Sequence, residues 1–166
     1  MSPPVPGTDL DFVVKSTDVL GGKLQVDGKI AVIGGGLVGG ETANFLVTHR
    51  NQVTIIEMLP EIVAEEPANM KYFLLKSFKE HNVDVHAGTA VQSINADHTI
   101  TVKTGDEVKV LGPFDAAVIA AGLQANKELK NVLEDVVPEV VYVGGALMPG
   151  DGMKAIEQGY EAALRI

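Results

Sequence analysis

The residues with the most legible chemistry lie between positions 34 and 57. Gly34-Gly35-Gly36-Leu37-Val38-Gly39-Gly40-Glu41 follows the apolar run Ile30-Ala31-Val32-Ile33, and Gln52-Val53-Thr54-Ile55-Ile56-Glu57 comes one helix length later. These types and spacings suit a dinucleotide. Gly34 permits a tight turn, Gly36 lets the backbone approach a pyrophosphate with no side chain in the way, and Gly39 lets a helix sit close to the preceding strand. The phosphates would face the free N–H groups at the helix start, those of Leu37 and Val38, and the positive end of the helix dipole. Glu57 brings a carboxylate that can accept hydrogen bonds from both hydroxyls of an adenosine ribose. That choice favours NADH, because the 2′-phosphate of NADPH would meet like charge. Met58, Leu59 and Pro60 bring no cation, and Arg50 falls at the end of the preceding helix, where it suits the helix C-terminus.

Such a site works only if a buried strand delivers the turn and a helix leaves it at once. Ile30, Val32 and Ile33 read as the strand, and Leu37, Val38, Phe45 and Leu46 give the helix apolar residues to bury. Two other readings share part of this pattern. A doubly wound sheet can carry a glycine turn that binds nothing, and a methyltransferase also places an acid after its second strand. The third glycine, spaced for helix packing, argues against the methyltransferase.

Composition narrows the classes further. A chain of 166 residues with 46% hydrophobic content can bury a core, and its net charge of −9 with no Lys/Arg cluster disfavours nucleic acid and anionic membrane surfaces. The apolar stretches fall short of the roughly 18–20 residues of a membrane span, and the N-terminus has no signal-peptide plan, so the cytoplasm is the default. With no cysteine, the chain itself holds no disulfide, thiolate nucleophile or iron–sulfur cluster. His49, His81, His86 and His98 lack paired metal-ligand spacing and are expected at helix ends or the surface. No catalytic acid, base, nucleophile or metal ligand is assigned.

Along the chain, residues 1–27 read as a proline- and glycine-rich lead-in with one apolar segment, Phe12-Val13-Val14. Residues 28–122 read as an α/β domain. A strand at 52–57, an acidic loop broken by Pro60 and Pro67, a helix from about Asn69 to His81 and a strand at Val83–His86 complete a βαβαβ half-fold. Short strands at 89–94, 99–103 and 107–111, with turns at 96–98 and 104–106, predict a three-stranded antiparallel meander beside a Rossmann-type parallel sheet. A buried strand at 116–120 returns to Gly122. Residues 123–166 add an apolar strand at Val140–Val143 and an amphipathic helix from about Asp151 to Arg165, with Ile156, Tyr160, Ala163 and Leu164 at helical spacing.

This order resembles the NAD(P)H-binding region of two-dinucleotide flavoprotein reductases. Gly34–Glu41, Glu57-Met58-Leu59-Pro60, Tyr142-Val143-Gly144-Gly145-Ala146 and Glu157-Gln158-Gly159-Tyr160-Glu161-Ala162-Ala163 most resemble the C-terminal part of the 2-enoate reductase, 2,4-dienoyl-CoA reductase and NADH oxidase group. The resemblance implies an excised piece of a longer enzyme with an FMN barrel, a 4Fe-4S cluster and an FAD-type domain, whose edges would be 1–27 and about 123–166. It also implies that Glu41 lies near the nicotinamide and that Gly122 lets the cofactor pass over the end of the return strand. A carboxylate compensating the helix dipole and a plain strand-end turn are the alternatives at those positions. Relatives have Gly-Asp where this chain has Gly144-Gly145, so the aspartate that would touch a flavin's sugar chain is missing. The implied partners are the remaining domains of the parent, and the isolated chain is expected to pair with itself or fold its tail back on the sheet. A stand-alone nucleotide sensor or protein-binding module, and a small reductase lent a flavin by a partner subunit, remain alternatives.

Overall fold

A computed structural model describes residues 5–122, 125, 128–129, 132–133, 136–148, 150 and 152–165. Residues 1–4 of the lead-in and Asp151, the expected start of the last helix, lie outside them. By packing, the chain divides into two units, one through Gly122 and one from Leu123 onward.

The first unit is built around β2 (Lys29–Ile33), whose last four residues are buried. A strand covered on both faces reads as a continuous apolar run, and Ile30-Ala31-Val32-Ile33 is one. On one side β2 pairs in parallel with β3 (Gln52–Ile56), and β3 pairs with β4 (Asp84–His86). On the other side it pairs with β8 (Ala116–Ile119), which pairs with β1 (Val13–Lys15). The parallel sheet therefore runs β1-β8-β2-β3-β4. Crossovers place α2 (Leu37–Thr48) and α3 (Ala68–Glu80) between successive parallel strands, as a parallel ladder requires.

Helices cover one face, where Leu46, Val47, Leu74 and Phe78 pack on Ile30, Val32, Val53 and Ile55. The other face, Ala31, Ile33, Ile56, Ala117 and Ile119, packs under Ile94, Ile100 and Val102 of a second sheet. That sheet is the expected antiparallel meander, β5 (Thr89–Ile94), β6 (Ile100–Thr104) and β7 (Glu107–Leu111). Its turns use left-handed residues, His98 at φ 66° and Gly105 at φ 58°. In the first of these turns the Thr99 hydroxyl and N–H bind Asp97 and hold its carboxyl below the usual value.

Two stretches differ from the sequence expectation. Val13–Lys15 of the lead-in is an edge strand on β8, followed by α1 (Ser16–Leu20), whose Val19 is buried among the core residues. Three residues are too few to show a period, so only the partner strand reveals them. Conversely, the strand expected at Val140–Val143 is not formed among the described residues, although Val143 is extended (φ −135°, ψ 160°).

In the second unit α4 (Gly152–Ala163) follows a short 3-10 turn, Gly144–Ala146. The Gly144 N–H donates to Gln158 Oε1 at 2.7 Å, which fixes that turn to the helix. Along α4 and the residue following it, Met153, Ile156, Tyr160 and Leu164 are 76%, 69%, 67% and 70% exposed, an apolar stripe at helical spacing.

Candidate functional site

The C-terminal edge of the parallel sheet gathers the predicted site. Ile33 is in register with both Ile56 and Ile119, so the residues that follow them, Gly34, Glu57 and Ala120, leave the sheet side by side. From β2 the chain proceeds to β3 on one flank, while β8 returns on the other. This is the switch point at which open α/β sheets form their ligand crevice. A separate cleft of about 430 Å³, lined by Lys29, Gln52, His81 and Asp84 among others, opens at the start of the strands, on the opposite edge.

Each glycine in the turn has its own constraint. Gly34 sits at φ 104°, its N–H bonded to Ile56 O at 2.9 Å, and a Cβ there would come within 2.7 Å of Ala120 O. Gly39 lies inside α2, where a Cβ would fall 1.9 Å from Gly34 O, so the helix is laid directly on the turn. Gly36 is the residue before α2, is exposed, and a Cβ would meet nothing within 4 Å. The space over Gly36 is open to a ligand. The first intrahelical bond is Gly40 N–H to Gly36 O at 2.8 Å, which leaves the N–H groups of Leu37 and Val38 without intrahelical acceptors.

Glu57 is 8% exposed, and its carboxylate is fixed by the chain's own backbone. Gly35 N–H donates to Oε2 at 2.5 Å and Leu59 N–H donates to Oε1 at 2.7 Å. An ionised carboxylate accepts at about four lone-pair positions, so one on each oxygen is left for a ribose hydroxyl. The side chain is therefore already oriented before any ligand arrives. Arg50 is elsewhere. It sits just past α2 at φ 68°, its N–H bonded to Val47 O at 3.0 Å, at the start of the strand whose far end carries Glu57. Seven residues of extended chain put roughly 20 Å between them. Lys71, which does reach the loop after Glu57, is paired with Glu61 at 2.5 Å.

Glu41 lies one turn into α2 on its exposed side, and its carboxylate makes no hydrogen bond or ion pair among the described residues. Leu37 is 47% exposed at the helix start, while Val38 is half-buried against the core. Gly122, at φ 75°, comes two residues after Ala120, whose N–H is bonded to Ile33 O at 2.8 Å; the Gly122 N–H donates to Ala120 O at 3.0 Å, and a Cβ on Gly122 would meet nothing within 4 Å. Among the described residues no group of three or more His, Asp or Glu side chains is placed to hold a metal, and no helix is long and apolar enough to cross a membrane.

Sequence reasoning missed the part played by the loop after Glu57. Ile62 and Val63 are buried, and Val63 N–H donates to Gly35 O at 2.7 Å. A Cβ on Gly35 would come 2.7 Å from Ile62 Cγ2, and one on Gly40 would come 2.4 Å from Val63 Cγ1. Val63 itself is held at φ 46°, a left-handed conformation that is strained for a β-branched residue by roughly 1–3 kcal/mol. The signal was present in the surplus glycines: Gly35 and Gly40 are not needed by the spacing of Gly34, Gly36 and Gly39.

The turn, the helix start and the fixed carboxylate could together hold a dinucleotide. Residues 1–138 match the family described as pyridine nucleotide-disulphide oxidoreductase. Over 97% of its length the chain is 36% identical to a bilirubin reductase of Mediterraneibacter gnavus (strain CC55_001C), of which it covers 25%. It is 28% identical over 100% of its length to an NADH oxidase of Thermoanaerobacter brockii, and 32% identical over 94% to a cinnamate reductase of Clostridium sporogenes, covering 26% and 24% of them. The chain thus spans about a quarter of the length of the curated relatives it matches. A 2-naphthoyl-CoA reductase structure shares the fold with a TM-score of 0.87 at 24% identity, covering 100% of this chain and 25% of that one. The chain belongs to the pyridine nucleotide-disulphide oxidoreductase family.

Proposed function

We propose that this chain is the NAD(H)-binding region of a longer flavin-dependent oxidoreductase of the 2-enoate reductase and NADH oxidase type. The observation that carries the reading is the buried carboxylate of Glu57, held by Gly35 and Leu59 N–H groups beside an open glycine turn. The names of the relatives, an NADH oxidase and a cinnamate reductase, support the choice of group. When bound, the nicotinamide supplies hydride chemistry for the parent's flavin. The chain's residues bind and orient: Gly36, Leu37 and Val38 offer N–H groups to the pyrophosphate, Glu57 accepts from the ribose, and Glu41 and Gly122 flank the path toward the nicotinamide. FMN, a 4Fe-4S cluster and FAD would belong to the rest of the parent. Gly145 brings no carboxylate to a flavin.

The purified chain should therefore be colourless, should not oxidise NADH with enoates or artificial acceptors, and should bind NADH with one site per chain. Free NADH at a hundred times its Kd would add about 2.7 kcal/mol of stability, a rise of several degrees in Tm. A stoichiometric flavin spectrum, or a Tm indifferent to NADH, would contradict the reading.

The remaining parent domains are the proposed cover for the stripe of Met153, Ile156, Tyr160 and Leu164. Without them, exposed apolar faces pair or repack. Sedimentation should show a dimer that Ile156→Glu with Tyr160→Glu converts to monomer. A monomeric unmutated chain with unprotected amides over 152–165 would contradict this.

A further inference from the structure

We infer that Val63 and Gly40, which the dinucleotide motif does not include, act as a positioning pair that aims the Gly36 N–H at the pyrophosphate; the inference rests on the NAD(H) reading above. The argument is one of peptide geometry. In a trans peptide the C=O and the N–H point in opposite directions, so whatever fixes one fixes the other. Val63 N–H donates to Gly35 O at 2.7 Å, on the side of the loop. The N–H of the same peptide unit, that of Gly36, is therefore turned away from the loop, at an exposed residue above which a Cβ would meet nothing within 4 Å. Glu57 acts likewise on the preceding unit through Gly35 N–H. The two successive peptide planes of the turn are thus each fixed by one anchor, Glu57 for the first and Val63 for the second.

Gly40 makes the second anchor possible. A Cβ on it would meet Val63 Cγ1 at 2.4 Å and Val63 Cβ at 3.8 Å, and Val63 is fully buried with a stiff side chain. An alanine at position 40 would have to push the loop outward and loosen its bond to Gly35 O. The left-handed φ of 46° at Val63 fits the same role, since this backbone conformation accompanies the presentation of the Val63 N–H to the turn.

The test separates donor aim from general damage by comparing ADP, which has a pyrophosphate, with adenosine, which does not. Gly40→Ala should raise the Kd for ADP and NADH on the order of tenfold and expose the Val63 amide to exchange, while leaving the Kd for adenosine unchanged. Gly40→Ala with Val63→Ala removes Cγ1, leaves the two methyl groups about 3.8 Å apart, and should restore ADP binding and amide protection. Equal losses for ADP and adenosine, or unaltered ADP binding in Gly40→Ala, would overturn the positioning role while the cofactor reading stands. An unmutated chain that binds neither ADP nor NADH would overturn both.

Discussion

Glu57→Ala should destabilise the protein by about 2–4 kcal/mol and at the same time weaken NADH binding at least tenfold. The stability loss follows from two backbone donors, Gly35 N–H, which is buried, and Leu59 N–H, which is part-buried. Gly35 N–H and Leu59 N–H would each lose an acceptor, and a buried N–H left unpaired costs about 1–3 kcal/mol, offset in part where water enters. A domain of this size has roughly 5–15 kcal/mol in hand, so the variant should fold. Binding should suffer separately, because on the proposed reading both ribose hydroxyls would lose their acceptor. Glu57→Gln keeps one oxygen but turns an NH₂ toward a donor, and should fall between the two. Urea unfolding and NADH titration of the three proteins measure these effects; wild-type stability in Glu57→Ala would mean that neither N–H depends on the carboxylate.

Gly39→Ala should be strongly destabilising although it adds only one methyl group. Helix propensity alone predicts a gain of about 1 kcal/mol for glycine to alanine inside α2. Packing reverses the sign. The new Cβ would lie 1.9 Å from Gly34 O, a backbone atom with no rotamer to escape into, and Gly34 is itself confined by Ala120 O. Either α2 lifts from the turn or the turn deforms, at a cost of about 3 kcal/mol. Helix content by circular dichroism should persist while Tm falls by several degrees and NADH binding is lost. Gly36→Ala is the control, since its Cβ enters open space: it should leave Tm nearly unchanged and still weaken NADH. A Gly39→Ala protein of undiminished Tm would contradict the close approach of helix and turn.

The elements that carry their own period were legible in the sequence. The glycine turn, the helices at 37–48 and 68–80, and the three strands of the meander all follow from local pattern. Helix ends were legible too: His81 takes the C-cap of α3, its Nδ1 2.9 Å from Ser77 O, and Asn82 follows at φ 53°. What stayed hidden depends on a partner distant in sequence. Val13–Lys15 is a strand because β8 lies beside it, whereas the apolar spacing of Val140–Val143 does not become a strand among the described residues. At the site, Gly34, Gly36, Gly39 and Glu57 could be named from spacing. The grip of Glu57 on the turn could not, since it depends on two backbone N–H groups brought together by the fold. Val63 was hidden for the same reason, its role being carried by the backbone and not by its side-chain type.

The central claim is that the turn and Glu57 form a site for NADH. Paired calorimetric titrations of the unmutated chain with NADH and NADPH test it most directly. The 2′-phosphate would face the fixed carboxylate of Glu57, with Arg50 at the opposite edge of the sheet and Lys71 held by Glu61. Like-charge repulsion and the lost hydrogen-bond pair together should be worth roughly 2–3 kcal/mol, so NADH should bind on the order of a hundredfold more tightly than NADPH. Equal affinities, or tighter binding of NADPH, would contradict the account.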